Sequence, residues 1–74
     1  MAGGAGTIGP VGRVATRIRA LRLKRHLTQA ALAKEAGVSR EYLMRLEARQ
    51  YDPRLSVLER IAKALKVPLT ALVK

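Results

Sequence analysis

The stretch Thr28-Gln-Ala-Ala-Leu-Ala-Lys-Glu-Ala-Gly-Val-Ser-Arg-Glu-Tyr-Leu-Met-Arg-Leu46 holds one glycine, Gly37, between two runs of helical spacing. The chain has six glycines, and the others all fall at or before Gly12. Thr28 suits the N-cap of one helix, which turns Leu32, Ala33 and Ala36 to the same side. Ser39 suits the N-cap of the next, with Leu43 and Leu46 on its inner face. If the first helix ends at Ala36 and the second is capped at Ser39, only Gly37 and Val38 remain to turn the chain. A helix C-terminus often needs positive φ, which glycine adopts freely and a β-branched residue does not. The small Ala33 lets the two helices cross closely, Val38 plugs the corner, and Leu32, Leu43 and Leu46 fill the angle. A helix-turn-helix requires this set, although an αα-corner with no nucleic-acid role would use it too.

Outward from the corner the apolar spacing stays helical, and no segment alternates like a strand. Val14, Ile18 and Leu21 mark one face of a first helix that ends near Arg25. The stretch from Ala48 to Pro53 reads as a loop, with Asp52-Pro53 as its turn signal. Ser56-Val-Leu-Glu59 has the form of a capping box opening a fourth helix, with Leu58, Ile61, Ala62 and Leu65 inward. Pro68 then starts a short last helix carrying Leu69, Leu72 and Val73. The expected fold is all-α, five short helices with tight links over residues 13–74. Residues 1–12, MAGGAGTIGPVG, lack periodicity and are expected to form a flexible N-terminal arm.

Fifteen Lys and Arg against five Asp and Glu give a formal charge of +10, which points to a polyanionic partner. The charge is clustered: Arg13, Arg17, Arg19, Arg22, Lys24 and Arg25 occur without an intervening acid. Only two aromatics, Tyr42 and Tyr51, are present, too few for a platform that stacks single-stranded bases. No apolar run has the length of a membrane span, and the N-terminus lacks the form of a signal peptide. A cytoplasmic protein, nucleoid-associated when bound to DNA, is the expectation. With one His, no Cys and no phosphate-binding glycine loop, the chain shows no constellation for catalysis, and no metal or cofactor is expected.

Helical phase separates the faces of the third helix. With Leu43 and Leu46 inward, Glu41, Arg45 and Ala48 point the opposite way, flanked by Tyr42, Met44 and Arg49. Arg40, in the first turn, reaches past the helix end. Arginine matches the paired acceptors of guanine, so Arg40 and Arg45 are the leading base readers. Glu41 is an acid aimed at a polyanion, suited either to a cytosine amino group or to orienting Arg45 four residues on. Arg22 and Glu47 fall on inward faces, where isolated charges are costly. Pairing them removes that cost.

These residues resemble the phage repressor and Cro type of helix-turn-helix proteins, whose fold is a compact, lambda-repressor-like bundle of five helices. The resemblance runs from about Arg17 to Leu72 through Arg17-Ile-Arg-x-Leu-Arg22, Leu27-Thr-Gln-x-x-Leu-Ala33, Gly37-Val-Ser39, Leu43-x-x-Leu-Glu47, Pro53-x-Leu55 and Leu58-x-x-Ile-Ala-x-Ala-Leu65. It implies that helix three lies in the DNA major groove and helix two crosses the backbone. Gln29 then meets phosphate, and Ser39, Arg40, Glu41, Tyr42 and Arg45 stand where bases or phosphates are touched. From their positions alone, Arg49 at the flank of helix three is a further candidate for DNA contact, and Arg19 on helix one is expected to meet phosphate. The resemblance also implies a buried Arg22–Glu47 salt bridge. Three positions depart from the pattern: Ala48-Arg49 follows Glu47 where a glycine is usual, Ala31 replaces a common Glu, and His26 replaces a common Gly.

The expected function is a sequence-specific regulator of transcription that binds double-stranded DNA, as a homodimer on a palindromic operator. Leu69, Leu72 and Val73 exceed what a short last helix needs, so they either form the dimer surface or close the core. Two related readings are an antitoxin, which also binds a toxin protein, and the controller of a restriction–modification operon. A basic RNA-binding module is the reading from a third class.

Overall fold

The computed structural model describes the backbone of residues 2–50 and 53–73, and the side chains of residues 13–50 and 53–73. Five helices make up the described chain: α1 (Ala2–Lys24), α2 (Gln29–Ala36), α3 (Arg40–Glu47), α4 (Leu55–Leu65) and α5 (Thr70–Val73). The backbone of α1 continues through residues 2–12, with no break where the sequence loses its periodicity. The expectation of a separate arm falls on residues whose side chains lie outside the described set, as do Tyr51, Asp52 and Lys74.

One apolar cluster joins all five helices. Val14 and Ile18 enter it from α1, Leu32, Ala33 and Ala36 from α2, and Leu43 and Leu46 from α3. Leu58, Ile61, Ala62 and Leu65 enter from α4, and Leu72 from α5. Helix α2 packs on α3 and α4, while α1 crosses α3 and closes the bundle against α5. Nearly every apolar stripe is spent on this core, as a chain this short requires.

Two expectations need correction. The fourth helix does not open on a Ser56 capping box. Its N-cap is Arg54, extended at ψ 152° and without a side-chain cap bond. The Arg54 carbonyl accepts from Leu58 N at 3.0 Å, which makes Leu55 and Ser56 helical. A capping hydroxyl needs extended backbone at its own residue, so Ser56 is left exposed in the first turn. Of the two readings of Leu72, dimer surface or core, the first is corrected: the side chain is fully buried within the monomer. Helix α5 packs on α1 and α4, and Leu72 joins the core cluster. Leu69 is half-buried and Val73 exposed.

Four helix ends close with the same left-handed turn, and only one uses glycine. His26, Gly37, Arg49 and Lys66 have φ of 59°, 72°, 65° and 59°. After each, the next amide reaches back five residues: Leu27 N to Arg22 O, Val38 N to Ala33 O, Gln50 N to Arg45 O and Val67 N to Ala62 O, at 2.9–3.0 Å. His26 and Arg49 are the positions where the sequence departs from a usual glycine. The turn forms there regardless, because satisfying the last carbonyls offsets a left-handed penalty of about 1–2 kcal/mol.

Candidate nucleic-acid interface

The corner is held by short-range bonds. Thr28 is extended, and its hydroxyl accepts from Ala31 N at 3.0 Å to open α2. The N-cap therefore forms even though Ala31 cannot complete a capping box. Gly37 ends α2 in the left-handed conformation. A Cβ at Gly37 would meet only Arg60 Nη1 at 3.7 Å, an ordinary contact, so φ and not space calls for glycine. Ser39 is extended in turn, and its hydroxyl accepts from Tyr42 N at 3.0 Å to open α3. These caps fix the direction in which α3 leaves α2.

Leu43 and Leu46 are fully buried, which leaves Arg40, Glu41, Met44, Arg45 and Ala48 exposed on the other side of α3. Arg45 Nη2 donates to Glu41 Oε2 at 2.7 Å, with the Arg45 and Glu41 side chains 46% and 64% exposed. Tyr42, at the flank of this face, is half-buried and packed against the core. Only part of its side chain faces solvent.

Beneath this face lies a polar knot that ties three helices together. Arg22 Nε donates to Glu47 Oε2 at 2.7 Å and Nη2 donates to Oε1 at 3.0 Å, a two-pronged pair joining α1 to α3. The two side chains are only 9% and 4% exposed. Arg22 Nη1 also donates to the Leu27 carbonyl at 2.9 Å, pinning the turn into α2. Gln29 Nε2 donates to Glu47 Oε1 at 3.1 Å. Gln29, expected to meet phosphate, thus has its amide held by Glu47 at the start of α2. Nothing in the local sequence signals this link.

Arg49 and Arg19 stand on one shallow groove with Thr16, Ala20 and Leu23, where α1 passes the end of α3. Arg49 Nη2 donates to Thr16 Oγ1 at 3.2 Å. On the other side of the corner, Arg60 Nη1 donates to the Gly37 carbonyl at 3.4 Å, bringing a cation from α4 to the turn. Sequence reading passed over both Thr16 and Arg60. Their contacts join residues more than twenty positions apart, beyond the reach of any spacing rule.

A capped corner, an exposed polar face on its second helix and a buried ionic tie to α1 are all in place. The sequence profile described as helix-turn-helix matches residues 18–72. The chain belongs to the helix-turn-helix family. It is 47% identical over 60 residues to an immunity repressor protein of Bacillus phage phi105, covering 81% of this chain and 42% of the repressor. An HTH-type transcriptional regulator of Archaeoglobus fulgidus is 46% identical over 48 residues, 65% of this chain and 69% of that protein. Among solved structures, a hypothetical transcription factor from Neisseria matches with a TM-score of 0.85 at 28% identity, covering 88% of this chain and 75% of that one. The restriction–modification controller protein C.AhdI from Aeromonas hydrophila matches with a TM-score of 0.81 at 29% identity, covering 84% and 94%. The chain thus spans about two fifths of the phage repressor and nearly all of the controller.

Proposed function

We propose that this helix-turn-helix chain is a sequence-specific regulator of transcription that binds double-stranded DNA. Helix α3 enters the major groove and α2 crosses the backbone. Residues 13–74 form the binding unit, and residues 1–12 precede it as an arm. The exposed face of α3 carries the reading: Arg40, Glu41 and Arg45 stand on a helix whose direction is fixed by caps at both sides of the corner. The formal charge of +10 supplies the non-specific attraction. Such a protein works in the cytoplasm, on the nucleoid. It acts as a homodimer on a palindromic operator, with exposed Val73 and half-buried Leu69 at the contact.

The test is a titration of the wild type, Arg19→Ala and Arg45→Ala against a selected operator, its single-base variants and random duplex. Arg19 lies on α1 and not on α3, so its loss should weaken all duplexes alike and lower the salt slope by about one unit. Arg45→Ala should cost about 1–3 kcal/mol on the operator and relax the choice at one base pair per half-site. Equal losses on operator and random duplex would reduce Arg45 to a phosphate anchor and leave Arg40 as the reader.

A second reading, the controller of a restriction–modification operon, is favoured by the likeness that spans 94% of C.AhdI. Such a controller is itself a DNA-binding regulator. A restriction gene beside this one supports it, and the absence of such a gene removes it.

A further inference from the structure

Glu41 stands out on the α3 face because it is an acid where a polyanion is expected, and because it already holds the neighbouring cation. Its carboxylate and the Arg45 guanidinium are 2.7 Å apart, and both side chains are open to solvent. That distance is shorter than the roughly 3.4 Å rise between stacked base pairs. Heads this close fall on one base pair, or on two that are stacked together. The pair offers donors beside an acceptor and carries no net charge. In the major groove, guanine shows the acceptors N7 and O6, and its partner cytosine shows the N4 amino donor. Donors and acceptor on the protein therefore match acceptors and donor on a G·C pair.

Resting on the DNA-binding reading above, we infer that Glu41 and Arg45 act as one reading unit for a G·C pair, with Glu41 as a specificity-determining residue. Arg45 donates to guanine, while Glu41 keeps the guanidinium in place and accepts from a cytosine amino group. The same carboxylate works against sites that place no amino group beside it. Where no amino group meets it, it lies in a groove walled by phosphates and gains nothing. It also neutralises Arg45, so that cation adds little to non-specific attraction along the backbone. Specificity here comes from a group that lowers affinity for the wrong sequence more than for the right one. The plainer role, an i,i+4 pair that steadies an eight-residue helix, predicts no effect on sequence choice.

The experiment uses the full chain and duplexes selected from a random pool. Wild type, Glu41→Gln, Arg45→Ala and the double variant are titrated against the selected site, its single-base variants and random duplex, with thermal melts to show that each is folded. Glu41→Gln should bind random duplex at least as tightly as wild type, and its ratio of specific to non-specific affinity should fall about tenfold or more. The lost preference should sit at the base pairs where Arg45→Ala loses it, or at their stacked neighbours. At those pairs the double variant should lose less discrimination than the two single losses combined. An equal gain on specific and random duplexes would show a bulk charge effect and overturn the inference, as would losses at unrelated base pairs. In both cases the wild-type consensus survives. A wild type that selects no consensus overturns the DNA-reading function itself, and this inference with it.

Discussion

Replacing Glu47 by alanine removes the centre of the polar knot, and its cost follows from the geometry. Glu47 takes two hydrogen bonds from Arg22 and one from Gln29, at 2.7–3.1 Å. Its side chain is 4% exposed and that of Arg22 is 9%. Without Glu47 the guanidinium keeps its bond to the Leu27 carbonyl and loses its counter-charge in a site nearly closed to water. Breaking one side of such a pair costs about 3–5 kcal/mol. A chain of 74 residues has a total stability of about 4–11 kcal/mol, so the variant should lose a large share of it and unfold at room temperature if the wild type lies at the low end. An exposed pair would lose only about 0–1 kcal/mol. Urea unfolding of Glu47→Leu, Arg22→Met and the double variant separates the pair from its surroundings. Each single change should be strongly destabilising, while the double variant, which buries no lone charge, should recover about 3 kcal/mol of the summed losses. Denaturant slopes should match, since the same surface is exposed on unfolding. Additive losses in the double variant would refute the account, because they would mean that Arg22 does not depend on Glu47.

Other changes probe the turns and the core. Gly37→Ala should cost about 1–2 kcal/mol through backbone strain, because the added methyl has room but the residue must keep its positive φ. Lys66→Gly, at a left-handed turn built without glycine, should instead stabilise by about 0.5–1 kcal/mol, both changes being read by thermal melts. Thr28→Ala should cost about 1 kcal/mol by leaving the Ala31 amide uncapped, read by urea midpoint. Leu72→Asp should abolish folding as seen by circular dichroism, whereas Val73→Asp should leave a folded monomer and weaken self-association in sedimentation. A folded Leu72→Asp monomer would return Leu72 to the protein surface.

What the sequence alone determined lies, apart from one ion pair, within a turn or two of each residue. Thr28, Gly37 and Ser39 fix the corner through bonds spanning three to five positions, and helix geometry sets those distances wherever the helix sits. The inward stripes of α2, α3 and α4 were legible for the same reason, as was the Glu41–Arg45 pair at i,i+4. Arg22 and Glu47 could be matched from sequence because each lay on an apolar face and needed a counter-charge.

Only the tertiary structure decided what depends on where one helix sits against another. Gln29 meets Glu47 across 18 positions, Arg60 meets the Gly37 carbonyl across 23, and Arg49 meets Thr16 across 33. No periodicity encodes those separations. The left-handed turns at His26, Arg49 and Lys66 carried no glycine to announce them, yet hydrogen bonds to the preceding helix impose them. Leu72 and Val73 are adjacent, and the packing of α5 on α1 buries the first and exposes the second. A short apolar helix reads the same whether it closes a core or meets a partner, because burial belongs to the neighbour that covers a side chain.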